Sequence, residues 1–134
     1  MGKLHGMILL DTHTLLWWIL DPPSLSKKVL ELIEKTPAEK RLLSSMSLWE
    51  IYHLSKKRKI VLNLPEEEFT KRLTSSGQLK MIDANWNILH RSVFLKWKHT
   101  DPIDRILVAT AIEFKSTLLT KDKIIQKFYR ESFW

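Results

Sequence analysis

Asp101-Pro102-Ile103-Asp104-Arg105-Ile106-Leu107-Val108-Ala109, continuing to Phe114 and then to Thr117-Leu118-Leu119-Thr120-Lys121-Asp122, is the stretch that decides the fold. Asp101-Pro102 opens a helix, because a proline in the first turn lacks only a donor that would have no intrahelical partner there. Ile106, Leu107, Ala109, Ala111 and Ile112 give the helix over 103–114 an apolar surface. The short apolar run Thr117–Thr120, bounded by polar residues, reads as a buried strand. Working outward, the same alternation recurs. Met7–Leu10 reads as the first strand, with Thr12 or Thr14 capping a helix that Asp21-Pro22-Pro23 stops. Ser24 or Ser26 caps a helix to about Lys35, and Arg41–Ser45 is the second strand. Ser45 or Ser47 opens a helix to about Arg58, and Pro65-Glu66-Glu67-Glu68 begins another ending near Ser75. Leu79–Ile82, a helix from about Ala84 to Leu95, a short helix from Lys123 to Phe128 and an edge strand near Ser132–Trp134 complete the pattern. Strands alternating with helices specify an α/β fold in three layers: a central, mostly parallel sheet of four to five strands flanked by helices.

Composition narrows the class. The 134 residues fit one domain, read as 7–134 with an extension over 1–6. Hydrophobic residues at 44% and charged residues at 28% are enough for a packed core, which excludes a disordered chain. No apolar run reaches the roughly 18–20 residues of a membrane span, and no signal peptide is legible, so a cytoplasmic location without membrane association is expected. The absence of cysteine removes disulfides and thiolate sites. With glycine only at 2, 6 and 77, neither a phosphate-cradling loop nor a serine nucleophile elbow can be built. A net charge of +7 points to polyanions, nucleic acid first.

Ligands of parallel sheets bind beyond the carboxyl ends of the strands, and acids stand there. Asp11 follows the first strand, Glu50 lies one turn into the helix after the second, Asp101 and Asp104 begin the long helix, and Asp122 follows the last interior strand. Each alone suits a cap or an exposed helix face. Together they would repel, two carboxylates at about 4 Å by roughly 4 kcal/mol at an effective dielectric near 20. A hard divalent cation resolves that conflict. A basic surface that holds phosphodiesters around such a centre describes a metal-dependent nuclease.

Leu9-Leu10-Asp11-Thr12-His13, Ser47-Leu48-Trp49-Glu50-Ile51, Asp101-Pro102-Ile103-Asp104-Arg105 and Leu118-Leu119-Thr120-Lys121-Asp122 resemble, in order and spacing, the four motifs of PIN-domain ribonucleases, most closely VapC-like toxins of toxin–antitoxin modules. The resemblance runs from Met7 to Trp134. It implies a PIN-like domain, Mg²⁺ or Mn²⁺ as cofactor, hydrolysis of RNA phosphodiester bonds, and a small antitoxin protein as partner. It assigns catalysis and metal binding to Asp11, Glu50, Asp104 and Asp122, with Asp101, Thr12 and Thr120 accessory. Asp101 caps its helix or pairs with Arg105 at i, i+4. The chain departs from the pattern after the Glu50 helix, where relatives often carry glycine and this sequence has Arg58-Lys59-Ile60.

Lys56, Lys57, Arg58 and Lys59 form the densest basic run and are candidate RNA contacts, with His99 as another. His13 is expected to be a structural hydrogen-bonder. Trp49 and Trp86 are expected in the core, and one of the adjacent Trp17 and Trp18 on an oligomer or partner surface. A homodimer is expected, alone or in a heteromeric complex with the antitoxin. A non-catalytic RNA-binding or assembly protein on the same fold is the alternative, which the presence of all the acids disfavours. A receiver-like signalling domain lacks the required spacing.

Overall fold

The computed structural model describes residues 6–134, so positions 1–5 of the extension read over 1–6 lie outside the described residues. The elements run β1 (Ile8–Leu10), α1 (Thr12–Leu20), α2 (Lys27–Lys35), β2 (Arg41–Ser44), α3 (Ser45–Lys56), α4 (Glu66–Ser75), β3 (Lys80–Ile82), α5 (Trp86–Phe94), α6 (Pro102–Glu113), β4 (Thr117–Leu119), α7 (Lys123–Phe128) and β5 (Ser132–Phe133). The five strands lie in the order β3-β2-β1-β4-β5. Every pairing is parallel, with Leu9 opposite Leu42 on one side and Leu118 on the other.

Each interior strand is buried on both faces, which is why the strands read as apolar runs rather than alternating ones. The pleat still sorts their side chains. Ile8, Leu10, Leu43 and Leu119 pack with Leu15, Val29, Ile33, Ile51 and Phe69 from α1 to α4. Leu9, Leu42 and Leu118 pack against Ile88, Ile106, Val108 and Ile125 from α5, α6 and α7 on the opposite face. Two cores therefore sandwich the sheet, as an α/β three-layer domain requires.

Two details differ from the sequence reading. The cap of α1 is Asp11, not Thr12 or Thr14: β1 hands over to the helix at once, and the Asp11 carboxylate accepts from the Thr14 N–H at 2.8 Å. Trp49 and Trp86 are exposed, at 52% and 75%, rather than core. The buried residues of α3 are Ser47 and Ile51, each two positions from Trp49, and those of α5 are Ile88 and Ser92. Two residues turn a helix by about 200°, which carries each indole to the far side.

The missing glycine after α3 has a structural counterpart. Arg58 has φ of 57°, in the left-handed region. Its N–H donates to Ser55 O and the Lys59 N–H to Leu54 O, both at 2.9 Å, closing a Schellman end that usually takes glycine at this position.

Candidate active site

The register of the sheet builds the site. Leu10 and Leu119 are paired on β1 and β4, so Asp11 and Thr120 emerge side by side beyond the last ladder position. Asp11 N donates to Leu119 O at 3.2 Å, holding the two exits together. Successive connections leave β1 toward β2 on one side while β4 lies on the other, and this is where the crevice of a parallel sheet opens. A cavity of about 390 Å³ lies there, lined by Asp11, Glu50, Asp101, Asp104 and Asp122 together with His13 and Lys121.

Three of these acids cap helices and line the cavity as well. Asp11 caps α1, Asp101 caps α6 and Asp122 caps α7. Asp101 Oδ1 accepts from Ile103 N at 2.9 Å and Asp104 N at 3.3 Å; Asp122 Oδ1 accepts from Ile124 N at 2.8 Å and Ile125 N at 3.3 Å. Each cap uses one carboxylate oxygen, so capping and cation binding are compatible roles for one side chain. Asp101 caps rather than pairing with Arg105. Thr12 and Thr120 fix the supporting backbone: Thr12 Oγ1 donates to Ser47 Oγ at 3.0 Å, tying α1 to α3, and Thr120 Oγ1 accepts from Asp122 N at 3.1 Å.

Asp104 is the electrostatic centre. Its pKa is raised to about 6, chiefly because burial strips water from the carboxylate, and further by the charges of Asp101 and Asp122. The hydrogen bond from His99, 2.7 Å from Nε2 to Oδ2, opposes that rise. Among the described residues, His99, Asp101 and Asp104 bring potential ligand atoms within 4.8 Å of one another. Asp11, Glu50 and Asp122 line the same cavity outside that close group. The donor set fits a divalent cation: several carboxylate oxygens, one nitrogen, and a half-buried carboxylate whose ionisation costs free energy until positive charge arrives.

The basic run Lys56–Lys59 is exposed and does not line this cavity. It lies at the far end of α3, with Lys56 about 9 Å along the axis from Glu50. His13 is exposed and its ring tilts against Trp17 at 5.8 Å.

Sequence reasoning missed the part played by Arg105. Its guanidinium donates to five backbone carbonyls, those of Ser92, Val93, Leu95, Trp97 and His99, at 2.6–3.1 Å. One signal was legible: α5 ends at Phe94-Leu95-Lys96 without a glycine, so its last carbonyls need a donor from elsewhere.

Comparisons with known proteins agree with this geometry. The PIN domain family model matches residues 8–131. Ribonuclease VapC22 of Mycobacterium tuberculosis (strain ATCC 25618 / H37Rv) is 29% identical over 117 residues, 87% of each chain. A toxin–antitoxin complex from Klebsiella pneumoniae contains a chain of similar fold, with a TM-score of 0.66 at 23% identity, covering 95% of this chain and 96% of that one. VapBC2 from Rickettsia felis, bound to a DNA fragment from its promoter, matches with a TM-score of 0.60 at 21% identity over 91% and 92% of the two chains. With the family model spanning β1 to the residue before β5 and the acids gathered where the β1 and β4 exits meet, the chain belongs to the PIN domain family.

Proposed function

We propose that this protein is an Mg²⁺- or Mn²⁺-dependent endoribonuclease, the toxin of a toxin–antitoxin pair. The observation that carries the reading is the convergence of Asp11, Glu50, Asp101, Asp104 and Asp122 on one cavity in a chain of net charge +7. Isolated acids would be unfavourable beside a polyanion; acids that hold cations are not. The similarity to a ribonuclease, and to chains of solved toxin–antitoxin complexes, supports the same assignment.

Asp11, Glu50, Asp104 and Asp122 would hold the metal, with Asp101 accessory and His99 steadying Asp104. A divalent cation there supplies a Lewis acid for the phosphoryl oxygens and eases deprotonation of the attacking water. The caps on α1, α6 and α7 fix three carboxylates before any substrate arrives, so little reorganisation remains at the moment of reaction. Lys121 adds a positive charge at the cavity wall, where a phosphate oxygen can be neutralised. Water is the nucleophile, so the ribose 2′-hydroxyl takes no part and the products carry 5′-phosphate and 3′-hydroxyl ends.

The test is cleavage of single-stranded RNA by purified protein with Mg²⁺, with Mn²⁺ and with excess EDTA. Cleavage is expected only with metal, and Asp11→Asn and Asp104→Asn are expected to abolish it without changing the circular dichroism spectrum. A 2′,3′-cyclic phosphate product, or full activity in EDTA, would overturn the mechanism.

The antitoxin reading is supported by an apolar groove of about 340 Å³ between α1 and α4, lined by Trp18, Ile19, Leu64, Phe69 and Leu79. An amphipathic antitoxin segment fits such a groove. Co-expression with the product of an adjacent short reading frame is expected to give a stable complex that suppresses cleavage. A homodimer would be served by a different surface: Trp86, Leu89 and Val93 form an exposed i, i+3, i+7 stripe on α5, next to Phe94. No helix among the described residues is long and apolar enough to cross a membrane.

A further inference from the structure

We propose that a basic cavity beside the acidic one is a subsite for a nucleotide neighbouring the cleaved phosphate of a single-stranded RNA. The inference rests on the ribonuclease reading and names where that substrate is held. The cavity, about 490 Å³, is lined by Lys121, Lys123, Arg130, Phe133 and Trp134, and no lining side chain is acidic. That volume lies within the roughly 300–1,000 Å³ range of small-ligand sites. Lys121 lines both cavities, so they share a wall.

The sheet explains the adjacency. β5 pairs with β4 through Leu119 and Phe133, and Thr120 N donates to Phe133 O at 3.2 Å. The chain after β4 and the chain after β5 therefore leave the same sheet edge as neighbours. Lys121 and Asp122 face the acidic cavity from the first, while Phe133 and Trp134 furnish the basic one from the second.

Three cations share this cavity, and Lys123 and Arg130 make no ion pair among the described residues. Lys71 and Arg72, by contrast, are each paired with a glutamate one turn away. Two cations without an ion-pair partner in one concavity, with Lys121 on the side shared with the acids, focus a field that attracts anions. The aromatic component makes a nucleotide a better fit than a bare anion. The Trp134 ring meets Trp17 edge-on, with centroids 5.6 Å apart and planes at 64°. Lys121 Nζ stands 5.8 Å from the centroid of that same Trp17 ring. Trp17 thus braces both the stacking ring and the cation that divides the cavities. A base stacked on Trp134 with its phosphates on Lys123 and Arg130 would leave the adjoining phosphate beside Lys121, at the acids. Stacking of this kind tolerates any base, so the subsite orients the strand without reading sequence. The Lys56–Lys59 run lines neither cavity.

The test uses Asp104→Asn protein with Mg²⁺ and a short randomised single-stranded RNA, followed by fluorescence anisotropy across a salt series. Adding Lys123→Ala and Arg130→Ala together is expected to weaken binding about tenfold at low salt. It should also flatten the slope of log Kd against log salt by about 1.4, since each single-strand phosphate contact contributes about 0.7. Trp134→Ala is expected to weaken binding about tenfold, and Trp134→Phe to recover most of it. In the active protein the double change should raise KM more than it lowers kcat. Photocrosslinking of a 4-thiouridine-containing RNA to the Asp104→Asn protein, with the subsite intact, should label the segment 130–134. Unchanged affinity and slope, or crosslinks confined to 56–59, would overturn the subsite while leaving cleavage by the wild type as support for the ribonuclease reading. RNA binding that depends on Lys123, Arg130 and Trp134 in a protein that never cleaves would do the reverse. Absence of any RNA binding by the protein would overturn both.

Discussion

His99 Nε2 lies 2.7 Å from Asp104 Oδ2, across the turn that leads into α6. The contact joins a residue of an irregular segment to the most perturbed carboxylate of the acidic cavity. With Asp104 ionised, the imidazole N–H donates, and the bond favours the charged form that a cation needs. The loop does not hold His99 there unaided. Arg105, the next residue after Asp104, binds the His99 carbonyl with one N–H and four further carbonyls with the others. Adjacent residues of α6 thus anchor both ends of the contact.

Removing the imidazole should act on the metal rather than on the fold. Side chains that steady a ligand typically cost 10–100-fold in metal affinity or activity when lost. His99→Ala is expected to raise the Mg²⁺ or Mn²⁺ concentration for half-maximal cleavage about tenfold or more, with partial recovery in His99→Gln. A metal titration of the initial rate measures it. Unchanged metal dependence would remove His99 from the site.

Arg105 predicts the opposite separation. Arg105→Ala leaves five carbonyls without their donor, and a lost charged hydrogen bond in a part-buried setting costs about 1.5–3 kcal/mol. The contacts are not additive, and a total loss of about 3 kcal/mol is expected in urea unfolding. Arg105→Lys should recover little of it, because an ammonium has three donors and no planar fork.

Asp104 makes the metal-free protein pH-sensitive. Its folded pKa of about 6 exceeds the ordinary 3.8, so ionisation costs the folded state more than the unfolded one. The cost is absent below about pH 4, grows as pH rises through the interval between the two values, and is complete above about pH 6. In EDTA the wild type should therefore melt lower at pH 7 than at pH 5 by an increment that Asp104→Asn lacks. At pH 7 the variant should melt above the wild type, by a few degrees for ~1 kcal/mol. Added Mg²⁺ should narrow or reverse that order by binding the folded wild type. Identical melting profiles in EDTA at both pH values would show that Asp104 carries no ionisation cost.

Arg58→Gly should stabilise the fold. A left-handed conformation costs an L-residue roughly 1–2 kcal/mol, which glycine avoids, while glycine returns about 0.5–1 kcal/mol through its freer unfolded chain. The net expectation is about 0.5–1 kcal/mol in favour of the variant, read as a rise in Tm. A fall would mean that the arginine side chain makes contacts worth more than the strain.

The sequence by itself determined the α/β class, the strands and helices in their order, and the acids Asp11, Glu50, Asp101, Asp104 and Asp122. These were legible because short apolar runs, proline breaks and helix-opening acids are local signals, and because a parallel sheet gathers whatever follows its strands. Only the tertiary structure decided which acid is electrostatically central. Burial of Asp104 is the larger cause of its raised pKa, and repulsion from Asp101 and Asp122 comes second. Charge repulsion is the part a sequence exposes, since desolvation depends on the protein packed around a carboxyl group. The exposure of Trp49 and Trp86, the cation cavity shared through Lys121 and the grip of Arg105 on Ser92–His99 also needed the assembled fold. Composition cannot say which side of a helix faces the core, nor which carbonyls a long side chain will reach. Those outcomes depend on how the layers pack, and they are where the chemistry of this site is tuned.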